Sequence, residues 1–270
     1  MTTVELNDPG DERLAVFLGL RDQVARQHRE RPGGDMHGFF IAEGDLVIER
    51  GVRAGFELRS VLMAERRSKP LPDSIGPDVL VIRGGDDVLV EVTGRAELRD
   101  PIACFVRPAL PEAAALIAEG RSFAVLEGIN NPNNLGVIMR NAAALGIDAV
   151  LLDPTCGDPL YRRAIRSSMG QVFVVPHARI EPLGISLPTL HDRGVSTIAL
   201  TPSASTRLDQ LDLDGVKTAL LLGAEGPGLT QAALKSASHH ARIPMTAEVD
   251  SLNVGSAAAV AFYELARTRG

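Results

Sequence analysis

Short apolar runs separated by polar, glycine-bearing turns recur along this chain, and they alternate with stretches whose apolar residues return every three or four positions. The first pattern suits strands and the second amphipathic helices. Residues 13–31 predict an amphipathic helix stopped by Pro32-Gly33-Gly34. A strand over 38–42, a helix over 43–54 ending near Gly55, and strands over 58–64 and 79–82 follow. Residues 86–93 predict a helix with Asp86 or Asp87 as N-cap, and 102–107 a strand before Pro108. This βαβ-like alternation over 35–108 describes a small α/β unit.

Pro108-Ala-Leu-Pro111 punctuates the chain, and the alanine-rich stretch 112–119 predicts a connecting helix. From Ser122 the pattern restarts, with strand 122–126, helix 135–145, strand 148–152, a helix near 159–169 and strand 171–175. After a proline-interrupted stretch come strands 195–200, 218–222 and 240–243 and a closing helix over 254–268. Continuous apolar strands such as Ala219–Gly223 suit a parallel sheet covered on both faces. The expected division is residues 1–108, a linker over 109–120, and a second domain over 121–270. There is no internal repeat.

The apolar fraction of 45% excludes a disordered chain, and with 4% aromatics and no Trp the core must be Val, Leu, Ile and Ala. No apolar run approaches the ~20 residues of a membrane helix. The acidic start, Met1–Asp11, lacks the layout of a signal peptide, so the expected location is the cytoplasm with no membrane partner. Cys104 and Cys156 lie far apart without metal-like spacing and read as a buried strand residue and a loop thiol. The six histidines show neither triad nor ligand spacing, so no metal site is expected. The net charge of −6 weighs against a polyanionic partner. The cations are nevertheless almost all Arg, Lys69, Lys217 and Lys235 being the exceptions, and guanidinium forks suit phosphate.

Candidate chemistry sits in three polar loops, each after a short apolar strand and before a helix. They are Asn130–Gly146, reading NNPNNLGVIMRNAAALG; Leu222–Leu229, reading LGAEGPGL; and Ile243–Ala258, reading IPMTAEVDSLNVGSAA. In this order they resemble the three signature motifs of the SpoU/TrmH RNA ribose methyltransferases, the knotted SPOUT class. Residues 39–49 and 60–65 resemble the substrate-binding domain that many of these enzymes carry, which is similar to a ribosomal-protein-like RNA-binding fold.

The resemblance implies an α/β-knot methyltransferase domain with a mostly parallel sheet, preceded by the small α/β RNA-binding domain. It implies a homodimer that binds S-adenosyl-L-methionine and methylates a ribose 2′-hydroxyl of rRNA or tRNA, with 23S rRNA favoured by the extra domain. Asn134, Arg140, Glu225 and Asn253 match its catalytic positions. Asn134 can also cap the helix after it. Arg140 is expected to bind the acceptor phosphate and stabilise alkoxide character. A literal general-base role conflicts with a guanidinium that stays protonated. Glu225 is expected to orient Arg140 or a group of the third loop. A bent cofactor is expected in a pocket at the ends of the strands over 195–200, 218–222 and 240–243. The positions implied to contact it are Leu200, Thr201, Gly223, Ala224, Glu225, Gly226, Ile243, Met245, Leu252 and Asn253. A branched residue in place of Gly223 is expected to occupy the cofactor's space. The family reads Ser-Leu-Asn-Val-Ser where this chain has Gly255, which removes one hydroxyl near the site.

Asp158–Gly170 resembles the family's basic region, and Arg162, Arg163, Arg166 and Ser167 are the candidate RNA-binding residues. Two other classes stand beside this reading. A non-catalytic RNA-binding or ribosome-assembly protein would tolerate decay of the motifs, yet Asn134, Arg140, Glu225 and Asn253 are intact. A doubly wound oxidoreductase would need Gly-x-Gly-x-x-Gly, which is absent.

Overall fold

A computed structural model describes residues 2–20, 23–30, 33–94, 98–246 and 249–267. In chain order the elements are β1 (Thr2–Leu6), a 3-10 helix (Glu12–Phe17), α1 (Gln23–Glu30), β2 (Phe39–Glu43), α2 (Asp45–Arg53), β3 (Leu58–Ala64), β4 (Leu80–Gly84), α3 (Asp86–Thr93) and β5 (Ile102–Val106). There follow α4 (Ala113–Glu119), β6 (Ser122–Glu127), α5 (Pro132–Ala144), β7 (Ala149–Leu152), α6 (Arg162–Ser167), a 3-10 helix (Gln171–Val174), β8 (His177–Arg179) and α7 (Leu183–Asp192). The last are β9 (Ser196–Leu200), a 3-10 turn (Leu208–Gln210), β10 (Thr218–Gly223), α8 (Gln231–Ser236), β11 (His239–Ala241) and α9 (Val254–Arg267). The chain forms two compact units, Met1–Ala109 with Leu160–Phe173, and Leu110–Pro159 with Val174–Gly270. Residues 160–173, which the sequence pattern groups with the second domain, thus pack with the first.

The first unit holds a five-stranded sheet in the order β1-β4-β3-β5-β2, with β5 antiparallel to both of its neighbours. Alternate strand residues point to opposite faces. Ile41, Leu62, Ile82 and Cys104 join Leu14, Phe17 and Leu89 in one apolar cluster. Phe40 and Phe105, one position away on their strands, instead meet Phe56 and Phe173, with ring centroids 5.0–6.3 Å apart.

That cluster explains one correction. Residues 171–175 are apolar enough for a strand, but 171–174 coil into a 3-10 helix that delivers Phe173 to the rings, and the strand begins at His177. The expected helix over 13–31 is two pieces, the 3-10 helix and α1, with residues 21, 22, 31 and 32 outside the described residues. Gly85, not Asp86 or Asp87, occupies the N-cap of α3. β1, which the sequence reading did not anticipate, pairs in parallel with β4.

The second unit is a six-stranded, all-parallel sheet in the order β11-β9-β10-β6-β7-β8. Ile117 of α4, Leu183, Leu187 and Leu190 of α7 and Ala233 of α8 cover one face, packing on Phe123, Val125, Leu151, Ala219 and Leu221. Their strand neighbours Ala124, Leu126, Val150, Leu220 and Leu222 are equally buried. α5 and α9 pack on each other, and β7 and β10 lie against them. Burial on both faces is why these strands read as unbroken apolar runs. α7 continues through Pro188, which the sequence marks as an interruption.

Candidate functional site

In a doubly covered parallel sheet the strands' carboxyl ends are the one place where loops from several strands converge around a ligand. Here the segments after β9, β10 and β11 enclose a cavity of about 420 Å³. Its lining includes Leu200, Thr201, Gly223, Ala224, Glu225, Gly226, Ile243, Met245, Leu252 and Asn253, the ten positions that the family resemblance singles out. Ala247 and Glu248 of the third loop lie outside the described residues.

One amide links the three loops. Asn253 Nδ2 donates to Asn134 Oδ1 at 3.0 Å and to Glu225 Oε1 at 2.6 Å. Its Oδ1 accepts from Gly255 N at 2.9 Å and Ser256 N at 3.4 Å, so the same side chain caps α9. Asn134 is buried inside α5, and the N-cap expected of it belongs to Asn131, whose side chain accepts from Asn133 N at 2.9 Å. Pro132 follows at the first helical position, where its missing N–H costs nothing. Of the two roles expected of Glu225, the contact to the third loop is present, and no contact to Arg140 is seen among the described residues.

The second loop has an anchor that the sequence reading missed. Buried Glu127, at the end of β6, accepts from Thr230 N at 2.7 Å and Thr230 Oγ1 at 2.8 Å. It fastens the far end of the glycine-rich loop to the strand that leads into the first. A polar residue ending an otherwise apolar strand was the available signal. Gly223 faces its own loop more closely than any ligand space. A Cβ there would lie 2.2 Å from the Gly228 carbonyl carbon and 2.3 Å from Leu229 N, so a side chain would force the loop's own backbone apart before meeting any ligand.

Beneath the first loop, Cys156 Sγ donates to Leu126 O at 3.2 Å and accepts from Ile129 N at 3.3 Å. Burial, the largest influence on it, pushes this thiol up to about 12. Arg179 ties the same turn by donating to the carbonyls of Asp153, Cys156 and Gly157.

Arg140 stands apart from the other three matched residues. It is exposed on α5, does not line the cavity, and makes no hydrogen bond or ion pair among the described residues. Beside it, Val137 is exposed on α5, as are Val260 and Tyr263 on α9.

The basic segment belongs to the first unit. Arg162 donates to Leu20 O at 2.8 Å and pairs with Glu43 at 3.5 Å, and burial pushes its guanidinium below the usual value. Arg166 reaches the same carboxylate at 3.9 Å, Arg163 is exposed, and Ser167 is half-buried. Among the described residues no cluster of side chains could hold a metal ion.

The SpoU rRNA Methylase family matches residues 121–263. An uncharacterized tRNA/rRNA methyltransferase of Mycobacterium tuberculosis (strain H37Rv) is 41% identical over 265 residues, 97% of this chain and 91% of that protein. The 23S rRNA (guanosine-2'-O-)-methyltransferase RlmB of Pseudomonas aeruginosa is 34% identical over 144 residues, 53% of this chain and 58% of that one. A crystal structure of an RNA 2'-O ribose methyltransferase superposes with a TM-score of 0.79 at 28% identity, covering 98% of this chain and 99% of the other.

Proposed function

This chain belongs to the SpoU rRNA Methylase family, and on that premise we propose that it transfers a methyl group from S-adenosyl-L-methionine to a ribose 2′-hydroxyl of RNA. The observation that carries the reading is the Asn253 amide, bonded at once to Asn134 and Glu225 at the wall of the cavity. The likeness to RlmB and the presence of a separate α/β unit favour 23S rRNA over tRNA as the target.

The cavity fits such a cofactor. Its volume lies in the range of small-molecule sites, its walls are apolar at Leu200, Ile243 and Leu252, and Glu225 is the one carboxylate on them among the described residues, suited to a cationic ligand. When bound, S-adenosyl-L-methionine supplies an electrophilic methyl group on a sulfonium that leaves readily.

The chain's task is then the acceptor. A ribose hydroxyl is a poor nucleophile at neutral pH, so it must be held in line and its oxygen stabilised as the proton leaves. Asn253 occupies Asn134 Oδ1 and so directs the Asn134 amino group away from itself, toward the acceptor. Glu225 fixes Asn253 in that orientation. Arg140 binds the acceptor's phosphate and stabilises the developing oxyanion, and the proton passes to water or phosphate.

The exposed position of Arg140 leads to the second element of the proposal, a homodimer. The small-residue stretches over 141–146 and 255–261 pack on each other within the chain, where Asn141 Nδ2 donates to Gly255 O at 2.9 Å. A dimer would therefore use the outer faces of α5 and α9, with Arg140 acting at the partner's cavity. The family's trefoil-knotted path, with the C-terminal segment tucked through a loop, belongs to the same reading, as does a cytoplasmic location. The small residues that let α9 lie close to α5 support the knot.

The test is mass spectrometry of nuclease-digested rRNA and tRNA from cells with and without the gene. One 2′-O-methylated nucleotide should disappear, and unchanged digests of both RNAs would refute the activity.

A further inference from the structure

The carboxyl-terminal edge of the first unit's β2 and β3 carries two hollows that share lining residues. The first, about 660 Å³, is lined by Arg162, Arg163 and Arg166 with Glu43. The second, about 520 Å³, is lined by Arg66, Arg67 and Lys69 with Asp45. Arg99 and Asp100 line both. Among the described residues seven cations and three carboxylates thus meet here, in a chain whose net charge is −6.

Two of the carboxylates sit on either side of Gly44, whose φ of 102° lets the chain turn between β2 and α2. Glu43 pairs with Arg162 at 3.5 Å and Arg166 at 3.9 Å. Asp45 pairs with Arg67 at 2.8 Å and Lys69 at 2.7 Å. Each carboxylate therefore organises the cations of one hollow. Glu43 and Asp45 are mostly covered, whereas the Arg166 and Lys69 side chains are 72% and 69% exposed, so these two anions lie beneath cations that face outward, and Asp100 is the exposed carboxylate of the edge. Arg67 is nearly buried and donates to Lys69 O and Arg99 O, both at 3.0 Å, which fixes the loops that present Lys69 and Arg99. Arg99 and Arg163 are exposed and bond no side chain or carboxylate among the described residues.

We propose that this edge is a continuous track for an RNA backbone, with Arg99 shared between two phosphate-binding hollows. The proposal rests on the RNA reading above and adds the second hollow and the bridging Arg99 to it. A single small anion would need one hollow, and a polyanion uses both. Among the described residues neither hollow is lined by an aromatic side chain, so the bonds fall on phosphate and sugar and position the strand without stacking its bases.

The test is filter binding of an unmodified 23S rRNA transcript and a tRNA transcript between 50 and 200 mM salt, to the native chain and to the triple variant Lys69→Ala, Arg99→Ala, Arg163→Ala. Removing one phosphate-binding cation should flatten the slope of log affinity against log salt by about 0.7, so the triple variant should lose about 2. S-adenosyl-L-methionine binding by calorimetry should not change. Arg99→Ala alone, which removes no internal bond, should lose about 0.7 and serves if the triple variant folds poorly. Equal affinity and slope for Arg99→Ala and the native chain would overturn the track while leaving the methyltransferase reading intact. A native chain that retains neither transcript would overturn the RNA reading, and the track with it.

Discussion

The amide of Asn253 does two jobs with its two ends, and one substitution separates them. Its oxygen caps α9 and its nitrogen holds Asn134 and Glu225. Asn253→Asp keeps an oxygen for the cap but replaces the nitrogen with a second carboxylate oxygen next to Glu225. Turnover should fall by about 10² with the melting temperature nearly kept, because the loss is one of preorganisation. Asn253→Ala should lose the cap as well, about 1 kcal/mol. Single-turnover methylation beside a melting curve checks both, and near-normal turnover of Asn253→Asp would remove the amide from the mechanism. A second residue-scale expectation concerns the thiols. Burial raises Cys104 to about 11 and Cys156 to about 12 from an ordinary 9.0. Because the folded value exceeds the unfolded one, both thiols contribute their full stability below pH 9 and lose it progressively as the pH rises toward 11–12. Melting temperatures from pH 8 to 11 should decline, less steeply in Cys156→Ala than in the native chain. A parallel decline in the two would show that Cys156 does not contribute.

Between elements, α9 approaches α5 closely at Gly255. A Cβ at Gly255 would lie 2.7 Å from Val137 Cγ1 and 3.1 Å from Asn253 Oδ1. A side chain at position 255, where the family resemblance leads one to expect serine, would thus press on Val137. Gly255→Ser should cost about 1–3 kcal/mol through overpacking, and Val137→Ala in the same chain should recover most of it. A denaturant-unfolding cycle over the four chains measures the coupling, and additive effects would sink this explanation. The same pair shows what the sequence could and could not carry. Gly255 was visible as a departure, and the three loops were readable because strand, turn and helix chemistry is local. Its approach to Val137 was not readable, since it joins residues far apart in the chain. Phe173 fell to the same limit: the apolar run over 171–175 has strand character, and only the rings of Phe40, Phe56 and Phe105 decide that it coils. Glu127 and Thr230 form a third such pair, a strand end and a helix cap whose union local pattern does not reveal.

At the scale of the whole molecule the position of Arg140 bears on the proposed homodimer. Within one chain it is exposed, unpaired among the described residues, and absent from the lining of the cavity that Asn253 helps to form. Arg140→Ala should leave folding and S-adenosyl-L-methionine affinity intact, because an exposed side chain without partners contributes within about 0.5 kcal/mol of stability. Turnover should nevertheless fall by about 10²–10³, the loss typical of an oxyanion donor. Arg140→Lys should fail nearly as badly, since a point charge cannot replace the planar fork. If the residue acts in its own chain, mixing Arg140→Ala with Asn253→Asp gives two defective proteins and no recovery. If it acts across a homodimer, each mixed dimer holds one site with both residues intact. In a symmetric dimer that exchanges subunits freely, half the dimers are mixed and half of their sites are whole, so roughly a quarter of native activity should return. Co-expression with two different affinity tags isolates the mixed species, and light scattering gives its mass. A monomeric mass would remove the dimer, and mixed dimers as inactive as their parents would place Arg140 in cis.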